Sequence, residues 1–346
     1  MSPITIVLAL AATGCAIQRA ESPAVEGLDD HAAHMSPADL QPPTTDPRPS
    51  DLSLQTAGIP ASNATAAARI TASPRHSEWV KIAWEPGSAD SLMAFVVYPV
   101  TRTNAPVVVV VHEIFGLSTW VRAVADQLAA DGFIAIAPDF LSRVRGGPSP
   151  VELPSDQARG LISGVNAADR NKVIVAAANY GMMLPSAAQR YGVVGYCWGG
   201  STAFLHAVHG GVRGFSGAVA YYGGFPYTSG GQRATATTPA MPVSIVADSV
   251  AKIRVPVMLL NGSKDARIAA SMPALDSIMK ALGKAYTGVN YDGAIHGFLR
   301  AQDDPREVRE GEAEAVVAKE RVDNLAAAKD GWPRTIIFFR QHLNAR

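Results

Sequence analysis

Five consecutive valines, Val107 to Val111, constrain this chain more than any other feature. A β-branched run without polar alternation suits a strand covered on both faces, and such strands belong to parallel sheets sandwiched between helices. The rest of the chain fits that frame. Phe133–Ala137, Tyr191–Gly195, Ser216–Tyr222, Val255–Leu260 and Tyr286–Tyr291 read as further strands. Helical spacing fills Ser118–Ala130, 167–183, Ser201–Val208, 271–282 and 324–342 between and after them. Two more strands, Glu78–Trp84 and Leu92–Tyr98, flank the turn Glu85-Pro-Gly-Ser88. Strands alternating with helices predict an α/β domain with a mainly parallel central sheet and helices on both faces. With 48% hydrophobic and only 17% charged residues, the chain can bury one large core.

The pentapeptide Gly195-Tyr-Cys-Trp-Gly199 falls at a strand-to-helix junction of this pattern. It has the form of a nucleophile elbow, G-x-S-x-G, with sulfur in place of oxygen. Such a turn forces tight backbone angles, its glycines admit neighbouring chain, and the helix N-terminus favours thiolate over thiol. A thiol nucleophile needs a base, and the base needs an orienting acid. In open α/β sheets these groups gather at the C-terminal ends of strands. Asp265 follows one predicted strand and His296 follows the last, so the chain order is nucleophile, acid, histidine, as in α/β-hydrolases. An oxyanion hole would take one backbone N–H from Trp198 and another from the loop His112-Glu-Ile-Phe-Gly116 after the valine strand. That loop is no zincin helix, because it follows a strand and Gly116 stands where a second histidine would be.

At these residues the chain resembles the dienelactone hydrolase family, also called carboxymethylenebutenolidases. The likeness spans roughly Trp79 to Leu343 and rests on His112-Glu-Ile-Phe-Gly116, Ala137-Pro-Asp-Phe-Leu-Ser-Arg143, Gly195-Tyr-Cys-Trp-Gly-Gly200, Tyr221-Tyr-Gly223, Gly262-Ser-Lys-Asp265, His296-Gly-Phe-Leu-Arg300 and Arg334–Leu343. The resemblance implies an α/β-hydrolase fold and a triad of Cys197, Asp265 and His296. It implies that Glu113 contacts the cysteine at rest and moves when substrate binds, and that Ile114 and Trp198 supply the oxyanion N–H groups. It further implies that Arg143 and Arg300 hold a substrate carboxylate, for which the bidentate guanidinium is suited. Phe115, Trp198 and Tyr222 are candidate pocket walls. The sulfur narrows the substrate independently. A thiol ionises near pH ~8.5, so thiolate leaves a tetrahedral adduct more readily than an alkoxide does. An enolate or a second thiolate as leaving group removes that imbalance, which favours enol lactones, activated esters or thioesters. The expected activity is opening of a carboxylate-bearing enol lactone. The alternatives are a general carboxylesterase or thioesterase, and an exported binding protein on a hydrolase scaffold.

Outside this domain, residues 1–20 read as an export signal. The apolar run Ile4–Ala12 is too short to span a bilayer. It ends at Ala12-Thr-Gly-Cys15, which resembles the lipobox of bacterial lipoproteins. Two outcomes stay open: a Cys15 lipid tether to the membrane, or an ordinary secretory signal cleaved nearby. Either predicts an exported protein, periplasmic or membrane-anchored, with Cys197 the only thiol of the mature fold. Residues 21–75, rich in Ala, Pro, Ser, Thr and Asp, predict a disordered tether, and 76–346 the hydrolase domain. Phe225–Asp248 and Gln302–Arg321 read as insertions, the second as a solvated helix face. The balance of 30 basic and 30 acidic residues argues against a nucleic-acid partner. There is no phosphate loop, dinucleotide fingerprint or metal-ligand cluster, so no cofactor and no metal is expected. The partner is a small lactone or ester, and the chain is expected to be a monomer.

Overall fold

The valine run lies at the centre of an eight-stranded sheet in the computed structural model, which describes residues 58–100, 103–145, 153–229, 244–302, 304 and 312–343. Its strands are β1 (Ser77–Ala83), β2 (Ser91–Val97), β3 (Ala105–Val111), β4 (Ile134–Pro138), β5 (Ala187–Tyr196), β6 (Phe215–Tyr221), β9 (Val257–Gly262) and β10 (Tyr286–Tyr291). The order across the sheet is β1-β2-β4-β3-β5-β6-β9-β10, and only β2 runs against the others. A separate two-residue pairing joins β7 (Thr228–Ser229) to β8 (Ser244–Ile245). Every residue of β3 and β4 is buried, as a continuous apolar run demands. Each valine so covered contributes about 1.5–3 kcal/mol relative to exposure.

The helices are α1 (Ala66–Thr71), α2 (Thr119–Ala130), α3 (Ser155–Ile162), α4 (Ala167–Met183), α5 (Trp198–His209), α6 (Ala247–Ala251), α7 (Ala266–Ala281), α8 (Phe298–Ala301) and α9 (Glu314–Leu343). Local signals fix their starts. The Ser118 side chain accepts from Val121 N–H at the head of α2, and Asn166 accepts from Asp169 N–H at 2.9 Å at the head of α4. Right-handed crossovers place α4, α5 and α7 over one face, while α2, whose connection crosses the sheet in the opposite direction, lies on the other. There α9 joins it, and Trp332 Nε1 donates to Asp131 at the end of α2 at 3.0 Å.

Two boundaries and one whole helix differ from the sequence reading. The tether predicted to reach residue 75 gives way at 58: Ile59, Ala61, Ser62 and Ala66 are buried, and α1 packs on α2. A composition of Ala, Pro and Ser concealed a short stretch whose few apolar side chains suffice to cover one helix end. Helix α3 was not among the elements read from the sequence. Helix α9 begins at Glu314 rather than 324, inside the charged segment read as a solvated helix face. The predicted signal with Cys15, the tether up to residue 57, most of the first predicted insertion and part of the second lie outside the described residues.

Candidate active site

Four loops at the C-terminal ends of β3, β5, β9 and β10 bring Glu113, Cys197, Asp265 and His296 to one end of the sheet. The elbow is shaped by its glycines. A Cβ on Gly195 would lie 1.9 Å from the Gly199 carbonyl oxygen, and one on Gly199 would lie 2.3 Å from that of Val111. Only glycine lets the first turn of α5 sit against the end of β3, and that contact sets Cys197 beside the Glu113 loop. Cys197 itself has φ +56°, a conformation that costs a non-glycine residue roughly 1–3 kcal/mol. Its N–H donates to Tyr221 C=O at 3.0 Å, and its side chain is buried.

Asp265 works in two directions. Its Oδ1 caps α7 by accepting from Ile268 N–H, and its Oδ2 accepts from His296 Nδ1 at 2.6 Å. The two loops are tied to each other: Lys264 N–H donates to Ala294 C=O at 3.0 Å and Gly293 N–H to Ser263 Oγ at 2.9 Å. His296 is 14% exposed and lies against the Tyr222 ring at 5.1 Å. Its second nitrogen, Nε2, is buried without a hydrogen-bond partner in the resting site. The Cys197 side chain nevertheless acts on this imidazole. Burial by itself would push the imidazole down. Electrostatic attraction to Cys197, then the Asp265 hydrogen bond, outweigh it and hold His296 well above its ordinary value. Burial likewise opposes the Asp265 charge, but the His296 hydrogen bond reverses the balance and keeps that carboxyl below the usual range.

Beside this chain of groups lies a second one. Glu113, 2% exposed, faces Arg300 with Oε2 3.0 Å from Nε, while its Oε1 has no hydrogen-bond partner. Arg300 lies 5.5 Å from the Phe115 ring centre and feels the charges of Glu113 and Cys197. Tyr222, at φ +37°, is buried with its hydroxyl unpartnered, and burial followed by the Glu113 charge pushes its phenol far up, so it stays neutral. The structure thus places Glu113 on Arg300, where the sequence reading had placed it on the cysteine.

The oxyanion candidates are positioned by a residue that sequence reasoning passed over. Gly116 N–H donates to Glu113 C=O at 3.3 Å, a turn that leaves Ile114 N–H at its corner. His112, wholly buried, donates from Nδ1 to the same carbonyl at 2.6 Å and accepts from Phe140 N–H at Nε2. Burial lowers its pKa to about 4, which keeps this neutral tautomer in place. Its ring stacks on Trp198 at 5.9 Å, and Arg170 covers Trp198 at 4.5 Å. A polar residue directly after a fully buried strand was the available signal for His112.

Arg143 is not gathered with the others. It pairs with Asp90, with Nε 3.1 Å from Oδ2, and lies 3.5 Å from the Trp84 ring centre on the β1–β2 turn. That turn is at the same end of the sheet as Cys197, but β2 is three strand spacings from β5, about 14 Å.

A mostly parallel sheet with one reversed strand, helices on both faces and a nucleophile elbow after a central strand defines the α/β-hydrolase fold. The profile of the dienelactone hydrolase family matches residues 92–343, and the chain belongs to that family and is a hydrolase. A candidate carboxymethylenebutenolidase of Salmonella typhimurium is 29% identical over 264 residues, covering 74% of this chain and 85% of that one. A Bradyrhizobium protein named as a 2-oxo-3-(5-oxofuran-2-ylidene)propanoate lactonase is 29% identical over 273 residues, 77% and 94% of the two chains. The crystal structure of a candidate dienelactone hydrolase of Klebsiella pneumoniae superposes with a TM-score of 0.57 at 26% identity, covering 77% of this chain and all of that one.

Proposed function

We propose that this hydrolase opens a carboxylate-bearing enol lactone, or a similarly activated ester, through a Cys197 acyl-enzyme. The observation that carries the reading is the line from Asp265 through His296 to Cys197 beside the buried Arg300–Glu113 pair. The thiolate attacks the lactone carbonyl, and the developing oxyanion accepts from the Ile114 and Trp198 N–H groups. The ring C–O bond breaks, the enolate leaves, and the His296 imidazolium protonates it. The now neutral His296 takes a proton from water, hydroxide attacks the thioester, and the C–S bond breaks to restore the thiolate. Asp265 orients the imidazole and favours its charged form. Glu113 gives up Arg300 to the substrate carboxylate and swings away, so that neither the arginine nor the freed carboxylate is left buried and unpaired. The Bradyrhizobium relative is named for a substrate with both an ylidene lactone and a carboxylate, which supports this class.

A broader carboxylesterase or thioesterase is favoured by one observation, the docking of Arg143 on Asp90 and Trp84, which leaves only one of the two expected arginines, Arg300, beside the triad for a carboxylate. The test is turnover of cis-dienelactone, p-nitrophenyl acetate and an acyl thioester by the wild type and Cys197→Ala. We expect cis-dienelactone to be the best substrate and the variant to be inactive on all three. Turnover of only the neutral esters supports the broader enzyme, and absence of Cys197-dependent turnover supports a binding protein. We further propose, from the apolar run that ends at Cys15, that this chemistry takes place outside the cytoplasm; mass spectrometry of the membrane fraction separates a lipidated Cys15 from an ordinary cleaved signal.

A further inference from the structure

Residues Gly58 to Ala66 precede the 92–343 region shared with the family and add no strand to the sheet. Their main chain is nevertheless bonded to both sides of the Arg300–Glu113 pair. On one side, Ala61 C=O accepts from Trp120 Nε1 at 3.1 Å, in the first turn of α2, the helix that follows the Glu113 loop. On the other, Asn63 N–H donates to the carbonyl of Arg300 itself at 2.9 Å. Pro60 C=O accepts from Gln302 Nε2 at 2.8 Å, and Ala64 N–H donates to the Asp304 carboxylate at 3.1 Å. Trp120 and Gln302 are both fully buried, so these bonds are shielded from water. Helix α8, which carries Arg300, has only four residues and is too short to hold its own shape.

We propose that Gly58–Ala66 is a positioning strap that fixes the α8 corner against the head of α2 and so sets the Arg300–Glu113 geometry on which carboxylate recognition depends. The strap touches no reacting atom; it acts through Arg300. This inference rests on the reading of Arg300 as the carboxylate site.

The test uses the full chain with Trp120→Phe and Gln302→Met combined. Each substitution keeps most of the buried volume and deletes a donor to the strap. Gln302 Nε2 also donates to Leu299 C=O at 2.9 Å inside α8, so Trp120→Phe alone is the variant that takes a bond from the strap without touching α8. KM for cis-dienelactone rises about fivefold or more, as expected for lost hydrogen bonds of ordinary strength. KM and kcat for p-nitrophenyl acetate stay within twofold, a split that simple loosening of the fold would not produce. Equal changes for both substrates, or none for the lactone, overturn the strap. Trp120→Phe alone, which deletes only the bond to Ala61 C=O and is expected to raise the lactone KM about twofold, serves if the double variant does not fold. Arg300→Ala run in parallel separates the two ideas. If it shows the split and the strap variants do not, only the strap fails; if it shows no split, the carboxylate reading fails and the strap falls with it.

Discussion

Arg300 and Arg143 were both expected to grip a substrate carboxylate, and the fold treats them in opposite ways. Arg300 is 16% exposed, and its counter-ion Glu113 is 2% exposed. Arg143 is 28% exposed and faces an Asp90 that is half open to water. A largely buried arginine must always have a partner, so a ligand carboxylate can replace Glu113 there provided that the displaced Glu113 swings to another partner. A rim arginine shares its charge with solvent and gains little from changing partners. Its aromatic support on Trp84 further favours staying put. The lesson is that a motif carries an arginine to the right end of a sheet, whereas burial decides whether it can select a substrate.

The largest effect follows at Arg300. Arg300→Ala removes a charge-assisted contact of about 2–3 kcal/mol, so KM for cis-dienelactone rises roughly 30- to 150-fold while that for p-nitrophenyl acetate changes little. It also strands the Glu113 carboxylate in the interior, and removal of one partner of a buried pair typically costs about 3–5 kcal/mol. Adding Glu113→Gln recovers much of the melting temperature but none of the carboxylate binding. A double variant that regains the low KM would move the clamp away from Arg300.

The next effect concerns the charges facing that pair. Among the groups that raise His296, Cys197 acts most strongly, so Cys197→Ser brings the imidazole back toward its ordinary 6.5, read by NMR titration. An unchanged titration would mean that Asp265 alone holds the proton. The stability consequence has a definite window. Because His296 is raised, its contribution is complete below 6.5 and is lost as pH climbs through the folded-state value. Because Asp265 is lowered, its share is complete above 3.8 and is lost as pH falls through its folded-state value. The melting-temperature gap between wild type and His296→Gln is therefore widest between 3.8 and 6.5 and narrows on either side.

Much of this was legible beforehand, for identifiable reasons. The sheet was readable because Val107–Val111 and its neighbours are buried on both faces and carry no competing pattern. Cys197, Asp265 and His296 were readable as candidates because turn chemistry and strand ends place them, and both are local properties. The pairing of Glu113 with Arg300 was not, since nothing in sequence spacing says which of two partners a buried carboxylate faces. The partner of Arg143 was equally hidden: Asp90 and Trp84 are more than fifty residues upstream and meet it only once β2 pairs with β4. The strap escaped notice because its contacts are made by main-chain groups, which every composition supplies.

Arg143→Ala is the smallest effect and the sharpest test of the contrast. With Arg143 held on the outer rim, its loss leaves KM for cis-dienelactone within about twofold, as is usual for exposed ion pairs, and barely moves the melting temperature. Asp90→Ala refines the measurement, because it frees Arg143 without removing it. If the arginine is a bystander, Asp90→Ala is as silent as Arg143→Ala. If Asp90 instead restrains a second clamp, Asp90→Ala lowers the lactone KM and Arg143→Ala raises it toward the Arg300→Ala value. Opposite signs from two partners of one surface pair cannot come from a lost salt bridge, since both variants break it equally. They would show that Arg143 leaves Trp84 for the substrate and that the difference between the two arginines belongs to the resting enzyme alone.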